Sequence, residues 1–153
     1  IKHTVEIKTR SLPMSWQLLV LSLPTENATA RMRAWRALKA SGAAVLRDGV
    51  YLMPAADGHA QSLQAVADDV RGNGGEAQVF EAEPHDGADY GALFDRGTEF
   101  GALLAEIGTC RAGLSGDTAQ QALKQARKLR KAFIALAATD FFAGEARKQS
   151  VAA

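Results

Sequence analysis

The chain has 153 residues, of which 47% are hydrophobic and 23% charged, so it is long enough to enclose the core of one domain. No run of about 18 apolar residues occurs, which excludes a transmembrane helix and predicts no membrane partner. The single cysteine, Cys110, excludes an internal disulfide and a zinc cluster built from cysteines, and it favours a reducing, cytoplasmic compartment.

The net charge of +1 conceals an uneven distribution along the chain. Residues 14–54 carry five Lys/Arg and two acidic residues, residues 55–108 carry two and eleven, and residues 117–153 carry seven and three. A basic start, an acidic middle and a basic end indicate either a surface for nucleic acid or another partner, or charge complementarity within the domain or between two subunits.

The first thirteen residues, IKHTVEIKTRSLP, lack the apolar block of a signal peptide. We interpret residues 1–13 as a leader derived from a vector, because Met14 begins the first stretch with the pattern of a folded domain. A native N-terminal strand is the alternative, since HTVEIKT alternates between apolar and polar residues.

Residues 14–84 are predicted to form an α+β unit. The apolar run WQLLVLSLP is a buried strand that Pro24 closes, and the next segment is a helix that Thr25 or Asn27 can cap. Gly42 can adopt the left-handed conformation that ends this helix. Its apolar stripe is predicted to consist of three residues at helical spacing: Met32, Trp35 and Leu38.

The second apolar run, AAVLRDGVYLMP, contains Asp48-Gly49, which is either a tight hairpin turn or a kink in one strand. A second helix follows, ends at Asn73-Gly74-Gly75 and leads into the strand EAQVFEAEP. Its predicted apolar face consists of Leu63, Val66, Ala67 and Val70. The resulting β-α-β-β-α-β order predicts a ferredoxin-like, split β-α-β sheet with two helices on one face.

Residues 85–153 are predicted to be a helical extension with two long amphipathic helices, packed on the first unit or on a partner subunit. The first helix has its apolar residues at period 3.6: Tyr90, Leu93, Phe94, Phe100, Leu104 and Ile107. The second helix spans TAQQALKQARKLRKAFIALAATDFF after a cap at Ser115 or Asp117. Its predicted stripe is Leu123, Ala126, Leu129, Phe133 and Leu136.

The first helix of the α+β unit is rich in cations. Arg33, Arg36 and Lys39 recur at spacing three and share one predicted face, whereas Arg31 lies to its side. Such a face can follow a phosphate backbone, so these four residues are candidate DNA contacts. The alternative is an ordinary solvated face, paired in part with the acidic middle of the chain.

The last predicted helix carries a denser basic cluster within KQARKLRK. Its five cations are Lys124, Arg127, Lys128, Arg130 and Lys131, and all except Arg130 share one face. No acid lies within one turn on that face, so the like charges repel each other. Such a cluster suits an acidic partner, although solubility alone can also account for it.

Catalytic patterns are weak. No pair of histidines with zinc-ligand spacing, no Ser-His-Asp arrangement and no phosphate-binding loop occurs, so we predict no enzyme and no cofactor. The glycine-rich RGNGGE follows a helix instead of preceding one, which is typical of a helix terminator.

The sequence nevertheless resembles a known family, the ChrB regulators encoded with bacterial chromate-resistance transporters. The resemblance covers roughly residues 15–148. It rests on Trp16, the turn from Leu23 to Thr25, Arg33-Ala34-Trp35-Arg36 with Leu38, Gly42-Ala43, Asp48-Gly49-Val50-Tyr51-Leu52, Pro54 and the late Asp140-Phe141-Phe142.

This resemblance implies a cytoplasmic transcriptional regulator that binds the promoter of a chromate-resistance operon and responds to chromate as effector. ChrB proteins are longer chains with a C-terminal domain, in which chromate sensing can reside. The N-terminal half is also similar to the ferredoxin-like domain of PaaX-type repressors and of CRISPR spacer-acquisition endonucleases. Those endonucleases carry an aspartate after the first strand, whereas LSLPTEN here has none, which disfavours a nuclease.

We expect a homodimer on promoter DNA, because two-fold proteins match palindromic operators. An oxyanion-sensing module is the alternative, with Arg47 or Arg111 near Cys110 forming a pocket for chromate, which also oxidises thiols. A third hypothesis is a dimerisation module without its own DNA binding, whose basic face meets the acidic middle of its partner.

Overall fold

The computed structural model describes residues 15–153, apart from the side chains of residues 117 and 145. The predicted leader, residues 1–13, lies outside the described residues. The first part contains β1 (Trp16–Ser22), α1 (Ala28–Ser41), β2 (Ala44–Arg47), β3 (Val50–Pro54), α2 (His59–Gly72) and β4 (Glu76–Ala82). The second part contains α3 (Gly97–Ala112), α4 (Ala119–Ala138) and α5 (Glu145–Ala152).

The four strands form one sheet in the order β2-β3-β1-β4, and every neighbouring pair is antiparallel. On the central strand β1, Leu18 lies opposite Leu52 of β3 and Phe80 of β4. The α+β class predicted from the sequence is confirmed, and the sheet is consistent with a split β-α-β arrangement.

The Asp48-Gly49 pair is a tight turn between β2 and β3, so the hairpin alternative is correct and the kink is not. Gly49 has φ +72°, and a Cβ there would lie 2.5 Å from the carbonyl oxygen of Leu21. Only glycine fits this turn without strain, because it must adopt a left-handed conformation and approach β1 closely. The amide of Leu21 donates to the carbonyl of Gly49 at 2.8 Å.

One face of the sheet packs against α1 and α2. The predicted face of α2 is confirmed, since Leu63, Val66, Ala67 and Val70 are all buried. Leu19, Met53 and Ala77 of the sheet belong to the same core.

The predicted apolar stripe of α1 is wrong in two of its three residues. Leu38 is buried, but Met32 is 46% exposed and Trp35 is 44% exposed. Ala30 and Ala34 are buried beside Leu38, because small side chains let the helix lie close to the sheet and α2. Asn27, one of the two predicted caps, accepts a hydrogen bond from the amide of Ala30 at 3.1 Å.

The opposite face of the sheet is covered at one end by aromatic side chains. Trp16 is buried and stacks on Phe94, with ring centroids 5.7 Å apart. Phe141 and Phe142 also pack against Phe94, with centroid distances of 5.8 Å in both cases. The helical part of the chain is thereby attached to β1.

The helix predicted from Tyr90 onward is interrupted. A single 3-10 turn spans Gly91–Phe94, Asp95 is extended, and α3 begins at Gly97. The carboxylate of Asp95 accepts from the amide of Gly97 at 2.8 Å, and such a local bond competes with continuation of the preceding helix.

The last predicted helix is too long, because α4 ends at Ala138 and the Asp-Phe-Phe segment turns back toward the sheet. Leu129 is buried and Phe133 and Leu136 are partly buried against α3, whereas Leu123 and Ala126 are exposed. The short helix α5, which the sequence did not predict, packs on α3 and contributes Ala146 to this core.

Candidate nucleic-acid interface

The basic face of α4 consists of four side chains that all point away from the helical core. Lys124, Arg127, Lys128 and Lys131 are exposed, on the side of α4 opposite the buried Leu129. Within the described part of the chain, none of the four forms an ion pair. Their charges are therefore not neutralised by any carboxylate that the structure describes.

Arg130 occupies another side of α4. It lines an apolar groove together with residues of α3 and α5, so it does not extend the basic face. The five cations that the sequence grouped together therefore divide into a face of four and one residue beside the groove.

The cations of α1 differ from one another in their surroundings. Arg33 holds Asp69 of α2 through two hydrogen bonds, Nε to Oδ2 and Nη2 to Oδ1, both at 2.9 Å. The hydrogen bond and charge of Asp69 raise the pKa of Arg33. This ion pair joins the two helices and offsets the charge that Arg33 would offer to a phosphate.

The other three cations of α1 have no carboxylate partner among residues 15–153. Arg36 is exposed, and the ammonium of Lys39 lies 4.9 Å from the ring centroid of Trp35. Arg31 donates from Nη2 to the carbonyl of Pro24 at 3.2 Å. The structure thus brings Arg31, Trp35 and Lys39 to one region of α1.

Beside this region lies a cleft of about 870 Å³ between α1, the end of β1 and the β2–β3 turn. Arg31, Met32 and Trp35 line one wall, and Asp48 and Tyr51 line the other. Burial raises the pKa of Tyr51, and the nearby charge of Asp48 raises it further. Sequence reasoning missed this cleft because it assigned Met32 and Trp35 to the core.

The candidate oxyanion residues lie on two separate elements. Cys110 and Arg111 on α3 line an apolar groove of about 620 Å³ between α3, α4 and α5. Arg47 lies on β2 and is not among the residues that line this groove. Cys110 is partly buried, with Sγ 3.9 Å from the carbonyl oxygen of Ala122, and Arg111 Nη1 is 3.4 Å from the carbonyl oxygen of Ala153.

Asp140 is a buried acid that the sequence analysis did not assign to a site. Its carboxylate lies 3.5 Å from Nη1 of Arg147 on α5, and Arg147 also donates to the Asp140 carbonyl at 3.3 Å. The contact fixes α5 against the turn that follows α4. In the sequence, Asp140 was noticeable only as part of the Asp-Phe-Phe segment. The contact with Arg147 gives Asp140 a structural role.

Over residues 15–153, no group of three or more His, Cys, Asp or Glu residues is arranged to hold a metal ion. Over the same residues, no helix combines the length and the apolar character needed to cross a bilayer.

The comparisons with known proteins agree with the resemblance seen in the sequence. The family model described as "Protein ChrB, N-terminal" matches residues 31–153. Protein ChrB from Cupriavidus metallidurans is 41% identical over 135 residues, which cover 86% of this chain and 42% of that protein. The chain thus spans less than half the length of this relative. A search of solved structures found no match to this chain. Because the family model covers most of the chain, from α1 through α4 and α5, the protein belongs to the ChrB family through its N-terminal domain.

Proposed function

We propose that this chain is the DNA-binding part of a cytoplasmic transcriptional regulator that controls a chromate-resistance operon in response to chromate. The observation that carries the proposal is the basic face of α4, with four exposed cations and no carboxylate partner among the described residues. Phosphate oxygens are the acidic groups that such a helix face can follow. Membership of the ChrB family and the resemblance to chromate-resistance regulators are the reasons for proposing a chromate-resistance operon as the target.

The cations of α1 provide a second set of contacts in this proposal. Arg36, Lys39 and Arg31 would bind phosphates or base edges, whereas Arg33 would mainly hold α1 against α2 through Asp69. Phosphate contacts position a protein on DNA, and sequence is read by the contacts to base edges.

Fluorescence anisotropy with DNA from upstream of the protein's own operon tests the proposal. Changing Lys128 to Ala removes one phosphate contact. We therefore expect the negative slope of log affinity against log salt concentration to become shallower by about one unit. Lys128→Arg keeps the charge and is the matched control, for which we expect a slope like that of the wild type.

The outcomes of this experiment separate the alternatives. Scrambled DNA should bind more weakly than the promoter, and chromate should release the promoter if this chain also senses it. If neither Lys124→Ala nor Lys128→Ala alters affinity or salt slope, the DNA-binding proposal is wrong. If promoter affinity is the same with and without chromate, the DNA-binding proposal stands, and chromate sensing is assigned to residues outside this chain.

The second candidate is an oxyanion-sensing or dimerisation module without its own DNA binding. The observation that favours it is the groove between α3, α4 and α5, where Cys110 and Arg111 lie beside exposed apolar residues. Chromate-dependent change in this chain without affinity for either DNA would support this candidate, and Cys110→Ser would test whether the thiol takes part.

A further inference from the structure

We propose that the cleft between α1 and the β2–β3 turn binds an unpaired nucleotide, with its base against Trp35 and Met32 and its phosphate on Arg31. The nucleotide can be a free mononucleotide or an unstacked nucleotide of a DNA strand, since both offer the same base and phosphate. The cleft does not include α4, so the proposal does not depend on the basic face of α4, but it gives Arg31, a candidate promoter contact, a specific ligand.

The first observation is that two large apolar side chains of α1 are exposed to solvent. α1 buries alanines against the sheet and leaves Met32 46% and Trp35 44% exposed. Both side chains line a cleft of about 870 Å³, within the range of about 300–1,000 Å³ typical of small-molecule sites. An exposed indole is a stacking surface for any nucleobase.

The second observation is the positive charge of Arg31 in the cleft and of Lys39 next to Trp35. One N–H of Arg31 is fixed to the Pro24 carbonyl at 3.2 Å, which anchors the guanidinium and leaves its other donors for a ligand. The ammonium of Lys39 lies 4.9 Å from the Trp35 ring centroid. An indole ring and the Arg31 guanidinium in one cleft match a ligand that combines an aromatic base with a phosphate, while Lys39 adds positive charge at the edge of Trp35.

The third observation concerns the facing wall of the cleft. Asp48 supplies a carboxylate, and Tyr51 supplies a phenolic hydroxyl, which is protonated at neutral pH and can donate a hydrogen bond. A carboxylate can accept two hydrogen bonds, from N1–H and N2–H of guanine, whereas uracil offers a single N3–H donor between two carbonyl oxygens. We therefore expect guanine nucleotides to bind more tightly than uracil nucleotides.

Titration of the whole chain with GMP, with UMP and with a short single-stranded DNA tests the proposal. The chain has two tryptophans, and Trp16 is only 1% exposed, so stacking at the cleft should quench mainly the emission of Trp35. We expect saturable quenching by GMP or by the single strand. Trp35→Phe should lose most of the signal but keep affinity by calorimetry, because its ring still stacks.

Two variants test the individual contacts. Trp35→Ala and Arg31→Ala should each weaken binding about tenfold or more, through loss of stacking and of the phosphate contact. Leu93→Ala is the matched control, because Leu93 is 48% exposed and lies outside the cleft. Asp48→Asn should reduce the preference for GMP over UMP, and circular dichroism should show the native fold in every variant.

The ligand arms distinguish the two sources of the nucleotide. Trp35-dependent binding of GMP supports a free nucleotide, and Trp35-dependent binding of the single strand without GMP binding supports an unstacked nucleotide of DNA. The proposal is overturned if neither ligand binds, or if Trp35→Ala and Arg31→Ala bind as well as the wild type. Because α4 takes no part, loss of promoter binding in Lys128→Ala leaves this test unaffected.

Discussion

Tyr51 shows how burial and a neighbouring charge together raise the pKa of a side chain in the cleft. Partial burial raises the pKa of Tyr51 because the phenolate is poorly solvated there, and the negative charge of Asp48 disfavours the phenolate further. The raised pKa therefore extends the protonated, hydrogen-bond-donating form of Tyr51 to more alkaline pH than usual.

We predict that Asp48→Asn lowers the pKa of Tyr51, but not to its ordinary value, because burial is the larger cause. Ultraviolet titration of tyrosine absorbance measures this, with Tyr51→Phe identifying the signal against that of Tyr90. The raised pKa means that stability from Tyr51 is complete below its unfolded pKa of about 10 and is lost as pH rises through the folded value. An unchanged pKa in Asp48→Asn would contradict the contribution of Asp48.

Arg33 illustrates how one contact changes the interpretation of a residue. Its spacing matches Arg36 and Lys39, but its guanidinium is bound by Asp69 on the neighbouring helix. Exposed ion pairs of this kind contribute little to stability, because solvent screens their charges. The main consequence of the ion pair is therefore that α1 presents less positive charge to a ligand.

At the scale of elements, the end of α1 determines how the helical part meets the α+β unit. Gly42 has φ +80°, as its place after the helix predicted, and its amide donates to the carbonyl of Lys39 at 3.2 Å. A Cβ at this position would lie 2.8 Å from Cβ of Thr139 and 3.0 Å from the ring of Phe141. The glycine thus ends one helix and makes room for the segment after α4.

We predict that Gly42→Ala lowers the free energy of unfolding by about 1–3 kcal/mol, since the alanine is strained in its backbone and overlaps Thr139. Urea unfolding followed by circular dichroism measures the change. Gly72→Ala is the control, because Gly72 ends α2 in helical conformation and has no atom within 4 Å of an added Cβ. Equal stability of Gly42→Ala and wild type would show that the contact with Thr139 is loose.

At the scale of the whole molecule, the two sides of α4 differ in character. One side carries the basic face, and the groove lies toward α3 and α5, with Leu114, Leu123 and Val151 exposed at its edge. We propose that a second copy of the chain covers this groove. Pairing there would bury the apolar side chains and leave the basic faces of both copies outward, as a two-fold DNA-binding protein requires.

We predict that the chain is dimeric at micromolar concentration and that Leu123→Glu makes it monomeric, because the charge would be buried at the interface. Sedimentation equilibrium measures the mass. Leu93→Glu is the matched control, since Leu93 is similarly exposed but does not line the groove. A monomeric wild type, or a Leu123→Glu variant that stays dimeric, would show that the groove is not the interface.

The sequence by itself determined the features that depend on local pattern. The order β-α-β-β-α-β, the buried face of α2, the hairpin at Asp48-Gly49 as one of two options and the end of α1 at Gly42 all follow from periodicity and turn chemistry. The cations of α1 and α4 were also visible in the sequence, because charge is a property of the residues alone. Their role as DNA contacts stays a prediction.

Only the tertiary structure decided which faces meet and which charges stay free. The alanine face of α1 is buried because it fits closely against α2 and the sheet, although Met32 and Trp35 are more hydrophobic. Arg33 is paired with Asp69, which lies 36 residues away in sequence. Phe141 and Phe142 lie beyond the end of α4 and pack near Trp16. The cleft beside Trp35 likewise exists only because α1, the end of β1 and the β2–β3 turn, which are separate in sequence, pack side by side.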